Sequence, residues 1–363
     1  MKNNKFISRK QFKNLLERSS EALDSSSEIL RDLKQSGKER PWRKNKLLSM
    51  AVSQAYFLIY ELKRYGRIMS SCGSELKFGS CTNTDHGKKL IEANFCKVRL
   101  CVMCQWRKSL VIRKQVLDLV HWHREKYSTD IPLLLTLTVV NVSGDELGLT
   151  IDRMNEAWRR LMQRKVFRRV IRSWFKSLEV TYNQERGDFH PHFHALLMVP
   201  ASYFDTRRDF YIPQQEWLRL WQASMRDDRI TQIDIRTIKA RKQGKLESLA
   251  AEVAKYATKP SSYVEKGPNG LLQASPLIVE DLHHALKNRR LIGFGGLFRQ
   301  IREEKKMVDV EDANLIHIDE DGVIKQCSCK ICGSTLLEEL YQWQIGLGQY
   351  RKVGGKKSTT IQC

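Results

Sequence analysis

Apolar and polar positions between residues 130 and 200 follow patterns that predict β-strands. Leu133 to Val140 is a short apolar run with β-branched residues between a proline and an asparagine, which favours a buried strand over a helix. Lys176 to Tyr182 alternates apolar with polar residues, and Gly187 separates it from His192 to Val199. This arrangement predicts a hairpin of two antiparallel strands.

Helical periodicity appears between and after these strands. Apolar residues recur every three or four positions from Met154 to Trp174, with arginines opposite, which predicts one long helix. Gln215 to Met225 predicts another helix, and Ile230 to Ile238 alternates like a strand. Leu246 to Thr258 again has helical spacing and is ended by Pro260. The order of elements predicts an α+β fold, with a central antiparallel sheet and packed helices.

The flanking sequence predicts further units. Leu47 to Leu62 carries apolar residues at the spacing of an amphipathic helix. The first forty residues are rich in Ser, Lys and Glu, and we expect a mobile or marginally helical lead-in there. We therefore divide the chain into an N-terminal helical, partly flexible region (1–70), a cysteine-rich zinc module with a helix (71–128), the α+β domain (130–265) and a C-terminal region with a second cysteine cluster (266–363).

The chain is strongly basic, which indicates a polyanionic partner. Lysine and arginine number 63 against 41 acidic residues, giving a net charge of +22 and a sequence pI near 9.7. No acidic residue interrupts the basic ones from Arg159 to Lys176, and such a segment predicts salt-sensitive phosphate binding. For any single residue, a solvated helix face is an equally good interpretation. The candidate DNA-binding residues are Arg159, Arg160, Arg164, Arg168, Arg169, Arg107 and Lys108.

Two sequence features bear on localisation. Residues 1–20 are polar and basic and lack the apolar core of a secretory signal. No apolar run approaches the roughly 20 residues that cross a bilayer. We expect a cytoplasmic protein that does not bind membranes. In a reducing cytosol, its nine cysteines are expected to bind metal rather than form disulfides.

Three histidines, His190, His192 and His194, alternate along one predicted strand. Side chains on a strand alternate between its two faces, so His192 and His194 project the same way, about 7 Å apart. On the neighbouring strand, the alternation places Glu179 on the polar face as a third ligand. Two imidazoles and a carboxylate with open positions suit Mg²⁺, Mn²⁺ or another divalent ion acting as a Lewis acid.

The histidine strand also allows two alternatives. A lone His-x-His motif more often decorates a strand or holds a closed zinc site. The three alternating histidines also resemble the histidine triad of nucleotide hydrolases, which use a histidine nucleophile and no metal. Nucleotide hydrolases of this kind are small domains, and their function would not explain a net charge of +22 or the clustered cysteines of this chain. We therefore favour metal-dependent chemistry.

A predicted helix carries Glu252, Tyr256 and Lys259 at positions i, i+4 and i+7, which share one face. A phenol with a pKa of about 10 is a poor nucleophile at neutral pH, but a nearby lysine and a metal on the phosphate offset this. Attack by Tyr256 on a phosphodiester would give a 5′-phosphotyrosine and a free 3′-hydroxyl, and Glu252 could later act as a general base. By itself, such a face is more often structural than catalytic.

The cysteines form two clusters. The first has the spacing Cys-x4-Cys-x2-Cys and predicts a tetrahedral structural Zn²⁺ site. Its four ligands are Cys72, Cys96, Cys101 and Cys104. Cys81 or His86 could replace one of them, and free thiols are the alternative. The second cluster consists of Cys327, Cys329, Cys332 and Cys363, for which zinc binding and free thiols are equally good interpretations.

Several motifs in order resemble those of rolling-circle plasmid replication initiators of the HUH endonuclease superfamily. The segments LLTLT (134–138), HPHFH (190–194) and EVAKYATK (252–259) resemble their motifs one, two and three. Further similar blocks lie at 94–107, 37–43 and 289–296, so the resemblance extends from about residue 37 to 305. Val102 departs from it, since a proline is expected before Met103, and the tail after residue 320 lies outside it.

The resemblance implies an HUH endonuclease domain that nicks one DNA strand. It implies that His192 and His194 ligate the metal with Glu179, that Tyr256 is the nucleophile, and that Glu252 helps to end the cycle, as in the branch with a single tyrosine. The implied partners are a plasmid double-strand origin, nicked at a hairpin or single-stranded site, and a host helicase and DNA polymerase. An HUH relaxase or transposase would share this chemistry, and a non-catalytic zinc-dependent DNA-binding protein would share the charge and the cysteines.

Overall fold

The structure is a computed structural model. It describes residues 28–34, 36–81, 86–205, 207–208, 210–237, 245–254, 258–267, 270–316, 318–319, 322–323, 328–329 and 331–353. Among the residues singled out above, Tyr256, Cys327 and Cys363 lie outside this set.

Helices and strands are interspersed along the described chain. The helices are α1 (Trp42–Leu58), α2 (Lys63–Ser70), α3 (Val102–Lys126), α4 (Gly144–Gln163), α5 (Lys165–Val170), α6 (Gln214–Met225), α7 (Lys245–Val253), α8 (Pro276–Leu286) and α9 (Leu297–Glu304). The strands are β1 (Glu75–Ser80), β2 (Lys88–Ala93), β3 (Ile131–Thr138), β4 (Ser173–Asn183), β5 (Asp188–Val199), β6 (Ile233–Thr237), β7 (Val264–Lys266), β8 (Leu272–Ala274), β9 (Ile292–Gly296), β10 (Ile318–Asp319), β11 (Gly322–Val323), β12 (Leu337–Gln344) and β13 (Gln349–Lys352).

Five antiparallel strands form a central sheet in the order β6-β3-β5-β4-β9. The two strands with the longest apolar runs, β3 and β5, lie inside the sheet and are buried along most of their length. The hairpin between β4 and β5 turns at Gly187, whose φ of +71° is readily adopted only by glycine. The predicted α+β class with an antiparallel sheet is confirmed.

The single long helix predicted from Met154 to Trp174 is wrong. Helix α4 ends at Gln163, Arg164 is extended (φ −62°, ψ 139°), and the short α5 follows. Trp174 already belongs to β4. The apolar spacing continues across the break because α5 also buries one face. On that face the Phe167 ring packs at a tilt against the Trp217 ring, with ring centroids 4.5 Å apart.

Helices cover both faces of the central sheet. Trp158 of α4 meets Phe193 of β5, with ring centroids 6.1 Å apart, so α4 covers the face opposite His192 and His194. On the histidine face, the Ser177 hydroxyl of β4 donates to the carbonyl of Val253 in α7 at 2.6 Å. Helix α3 packs against α1, α7 and α9. No helix in the described ranges is long and apolar enough to cross a membrane.

A second sheet joins distant parts of the chain. Its order is β13-β12-β1-β2, and the pairing of β12 with β1 joins the hairpin at residues 337–352 to the hairpin at residues 75–93. Trp42 of α1 packs against Trp106 of α3 and Phe78 of β1, with ring centroids 4.6 Å and 5.6 Å apart. These contacts connect the second sheet to the core that also supports the central sheet.

Candidate metal centre

Glu179, His192 and His194 converge at the middle of the β4–β5 hairpin. Glu179 lies directly opposite His192 in the strand register, and His194 is two residues further along the same face. The carboxylate Oε2 of Glu179 is 2.8 Å from Nε2 of His194 and 3.3 Å from Nε2 of His192. One ligand atom from each residue lies within 4.8 Å of the others, and all three side chains are buried. The trio could hold a metal ion.

Backbone and side-chain contacts orient the two imidazoles. Nδ1 of His192 is 3.1 Å from the carbonyl oxygen of His190, which can only accept a hydrogen bond. With a metal ion bound, His192 would donate from Nδ1 to this carbonyl and would use Nε2 as the ligand atom. Nδ1 of His194 lies 3.3 Å from the hydroxyl of Thr136 on the next strand.

The electrostatics of the centre keep Glu179 ionised. Burial raises the pKa of this carboxyl, but hydrogen bonds from His192, His194 and Lys259 outweigh it and hold the pKa well below its ordinary value. Nζ of Lys259 is 3.0 Å from Oε1 of Glu179. The lysine ammonium thus contacts the carboxylate oxygen that the two histidines do not contact.

The chain on either side of Tyr256 is held against β4. Before it, the carbonyl of Val253 accepts the hydrogen bond from Ser177. After it, Thr258 forms a parallel bridge with Val180 and lies 3.3 Å from the Tyr263 hydroxyl. Both anchor points flank Glu179 on β4. Tyr256 itself lies outside the described residues.

The first cysteine cluster is assembled from Cys72, Cys96, Cys101 and Cys104 and could also hold a metal ion. Sγ of Cys72 is 3.5 Å from Sγ of both Cys101 and Cys104, and Sγ of Cys96 is 3.7 Å from that of Cys104. The backbone amides of Cys96 and Lys97 donate to sulfur atoms of the cluster at 3.3 Å and 3.2 Å. Neither predicted substitute, Cys81 or His86, belongs to this group.

The basic residues predicted to contact DNA occupy different environments. Arg159, Arg168 and Arg169 are exposed, whereas the Arg160 and Arg164 guanidinium groups bond to Ser224. Lys108 pairs with Glu311.

For Arg107, the predicted DNA-facing position requires correction. Its side chain is 2% exposed, and its guanidinium donates to the carbonyls of Leu315, Ile316 and Ile318. The guanidinium carbon lies 5.4 Å from the ring centroids of both Trp42 and Trp106. Arg107 therefore joins α3 to the segment at residues 315–318.

Sequence reasoning missed Thr136 and Ser177, whose hydroxyls contact the centre or the helix beside it. Thr136 could have been identified from the sequence, because it is a polar residue within the apolar run of β3.

Comparison with known proteins gives the family. The family model described as "Replication protein" matches residues 87–350, which include the β4–β5 centre and the first cysteine cluster apart from Cys72. The chain belongs to the Rep_1 family of replication proteins. The resemblance to rolling-circle plasmid replication initiators is thereby confirmed.

Relatives of similar length support this assignment. A "Protein rep" of Streptococcus pneumoniae serotype 2 is 34% identical over 302 residues, which cover 83% of this chain and 91% of the relative. A "Protein rep" of Lentilactobacillus hilgardii is 35% identical over 302 residues, covering 82% and 92%. One from Staphylococcus aureus is 38% identical over 200 residues, covering 54% and 83%. No solved structure matches the chain.

Proposed function

We propose that this plasmid replication initiator is an HUH endonuclease that cuts and rejoins one strand of a plasmid double-strand origin through Tyr256. The convergence of Glu179, His192 and His194 on two paired strands is the observation that most strongly supports the proposal. The order of the three motifs and the membership of the replication protein family agree with it.

The donor set of the centre fits a divalent metal ion. It consists of two imidazole nitrogens and one carboxylate whose neighbours keep it ionised. Three protein ligands leave coordination positions for phosphate oxygens, as Mg²⁺ and Mn²⁺ sites in phosphoryl-transfer enzymes do. A bound Mg²⁺ or Mn²⁺ would withdraw negative charge from the scissile phosphate.

Tyr256 supplies the nucleophile in this proposal. Its phenolic oxygen loses a proton and attacks phosphorus, the bond from phosphorus to the 3′ oxygen breaks, and the departing 3′ oxygen gains a proton. The products are a 5′-phosphotyrosine and a 3′-hydroxyl, which a host polymerase extends while a host helicase unwinds the duplex. The covalent link conserves the energy of the phosphodiester, so rejoining requires no ATP.

Lys259 and Glu252 assist this cycle. The Lys259 ammonium, 3.0 Å from Glu179, carries positive charge to the edge of the centre, where it favours the phenolate and the charge on the phosphate. Glu252 lies four residues before Tyr256 in the sequence, near the end of α7, and acts as the general base that activates a later water or 3′-hydroxyl.

Structural zinc and exposed arginines complete the proposal. The four sulfur atoms of Cys72, Cys96, Cys101 and Cys104 have separations close to the roughly 3.8 Å of a tetrahedral zinc–thiolate site. Arg159, Arg168 and Arg169 on α4 and α5 provide exposed positive charge for the DNA backbone.

A nicking assay tests the proposed function. Purified protein is incubated with supercoiled plasmid carrying its own origin, in Mn²⁺ or in EDTA. We expect open circles with protein attached at the 5′ end in Mn²⁺ only, and none with Tyr256→Phe. Tyr60→Phe is the matched control, because this tyrosine is 84% exposed and lies on the segment after α1.

Two outcomes would contradict the proposal. Nicking that survives in Tyr256→Phe would assign the nucleophile to another residue. Specific binding to the origin without nicking by the wild type would favour the non-catalytic zinc-dependent DNA-binding protein.

A further inference from the structure

A third group of side chains that could hold a metal ion shares no residue with the candidate metal centre or with the first cysteine cluster. It consists of Cys81, His86, Cys329 and Cys332, each of which contributes one ligand atom within 4.8 Å of the others. Cys81 and His86 lie between β1 and β2, and Cys329 and Cys332 lie before β12. Sequence spacing alone groups the C-terminal pair with Cys327 and Cys363 instead.

The separations of the ligand atoms match a tetrahedral zinc site. With Zn–S of about 2.3 Å and Zn–N of about 2.0–2.1 Å, ideal geometry places sulfur about 3.8 Å from sulfur and about 3.6 Å from nitrogen. Sγ of Cys81 is 3.4 Å from Sγ of Cys332 and 3.6 Å from Nδ1 of His86. Sγ of Cys329 is 3.5 Å from the same nitrogen.

The backbone around the C-terminal pair forms a tight turn that brings both sulfur atoms to one side. The amide of Cys329 donates to the carbonyl of Ser334 at 2.8 Å, and the amide of Gly333 donates to the carbonyl of Cys329 at 2.9 Å. Gly333 has a φ of +73°, which a residue with a side chain rarely adopts. A bridge between Ser328 and Thr335 closes the turn.

This turn has few apolar contacts of its own. Among the described residues, Cys81, Cys329 and Leu336 form a small buried cluster that is separate from the main core. Lys89 of β2 donates to the carbonyl of Ser328 at 3.3 Å. A bound structural metal would stabilise a segment with so small a core, because metal binding at such sites is coupled to folding.

We propose that Cys81, His86, Cys329 and Cys332 bind a structural Zn²⁺ ion that fastens the C-terminal turn to the β1–β2 hairpin. Four protein ligands close the coordination sphere, so the site is structural and has no position for a substrate. The ion thereby fixes the segment that leads into β12, which pairs with β1. This second zinc site is independent of the nicking chemistry.

Zinc counting on the full-length protein tests this proposal. Zinc per chain is measured by mass spectrometry for the wild type and for Cys81→Ser, Cys329→Ser and the double variant. We expect each single variant to lose one ion, and the double variant to lose one ion as well, because both residues hold the same metal. Cys96→Ser, in the first cluster, is the matched control, and combined with Cys329→Ser it should lose two.

A ligand exchange keeps the test decisive if a serine variant folds poorly. His86→Cys should retain the zinc of the wild type, and in the Co²⁺-substituted protein its sulfur-to-cobalt charge-transfer band should be stronger. Proteolysis between β9 and β12 should be faster in Cys329→Ser than in the wild type. Unchanged zinc content in both Cys81→Ser and Cys329→Ser, or loss of zinc from only one of them, would overturn the proposal.

Discussion

Glu179 is the residue on which the metal centre depends most directly. It is 1% exposed, yet it is held as an anion by two imidazoles and a lysine. A buried carboxylate is tolerated only with such partners or with a metal. Because Lys259 contacts Oε1 while both histidines contact Oε2, the lysine ammonium would compete with a bound metal ion for the charge of the same carboxylate.

Replacing Lys259 by methionine should therefore separate metal affinity from activity. We expect Lys259→Met to bind Mn²⁺ more tightly, by up to about fivefold, because a half-exposed ion pair contributes up to about 1 kcal/mol. Nicking should become slower, because the positive charge beside the phosphate is lost. Calorimetric titration with Mn²⁺ and the plasmid assay measure the two effects.

Lys266→Met is the control for this substitution, since Lys266 is an exposed lysine a few residues further along. It should change neither quantity. Equal Mn²⁺ affinity in Lys259→Met and the wild type, or undiminished nicking, would remove Lys259 from the site.

The buried side chain of Lys176 should make the free energy of unfolding depend on pH. Burial lowers the pKa of Lys176 from 10.5 to about 7, and its ammonium lies 2.5 Å from Oδ1 of Asn155 and 3.9 Å from the Phe193 ring centroid. Between these pH values the unfolded chain binds a proton that the folded chain releases. The free energy of unfolding should therefore rise with pH in this window, by up to about 1.4 kcal/mol per pH unit.

Chemical denaturation of wild type and Lys176→Met at pH 7 and pH 9 isolates this contribution. The wild type should gain stability at pH 9 relative to the methionine variant, which lacks the titrating group. The same pH dependence in both proteins would show that Lys176 keeps an ordinary pKa.

At the scale of elements, strand patterns were more informative than helix patterns. The alternation along β4 and the histidines of β5 predicted a hairpin and placed Glu179 beside the histidines, where the register puts it. The break at Arg164 could not be predicted, because the apolar spacing continues through it. The edge strand β9 was also missed, since Ile292–Gly296 is glycine-rich and its pairing with β4 depends on contacts far along the chain.

The glycine at the end of β9 gives a prediction for this edge. Gly296 has a φ of +59°, and a Cβ built on it would lie 2.1 Å from the carbonyl oxygen of Arg172. Gly296→Ala should lower the free energy of unfolding by more than about 2 kcal/mol, since both backbone strain and a backbone clash oppose the methyl group. Thermal or chemical unfolding measures this loss.

Gly270→Ala is the matched control for Gly296→Ala. Gly270 has a similar φ of +70°, but nothing lies within 4 Å of its added Cβ. The free energy of unfolding of Gly270→Ala should fall only by the backbone strain, about 1–2 kcal/mol. An equal decrease in the free energy of unfolding in the two variants would show that β9 can move away from Arg172 at little cost, so that the close approach at Gly296 is not required for the sheet.

At the scale of the whole molecule, the two sheets bring distant residues together. The first cysteine cluster follows from local spacing, which is why its members could be named from the sequence. The partnership of Cys81 with Cys332, 251 residues apart, could not, because it depends on β12 pairing with β1. The burial of Arg107 was missed for the same reason, since its carbonyl partners lie about 210 residues further along the chain.

The net charge of +22 predicts DNA binding that weakens steeply with salt. Arg168 and Arg169 are exposed on α5, and removing both should reduce the slope of log affinity against log salt by about 1.8, or about 0.9 per phosphate contact. Fluorescence anisotropy with duplex origin DNA measures this slope. Arg299→Ala is the control, because that arginine already pairs with Glu303 at 3.0 Å. An unchanged slope in the double variant would place the DNA on another face.

The most direct test of the central claim is the identity of the residue that carries the DNA. The protein is incubated with Mn²⁺ and a single-stranded oligonucleotide spanning the origin, digested with trypsin and nuclease, and sequenced by mass spectrometry. We expect a nucleotide 5′-phosphate on Tyr256, with the 3′-hydroxyl fragment free. A nucleotide on any other residue, or cleavage without a covalent peptide adduct, would contradict it.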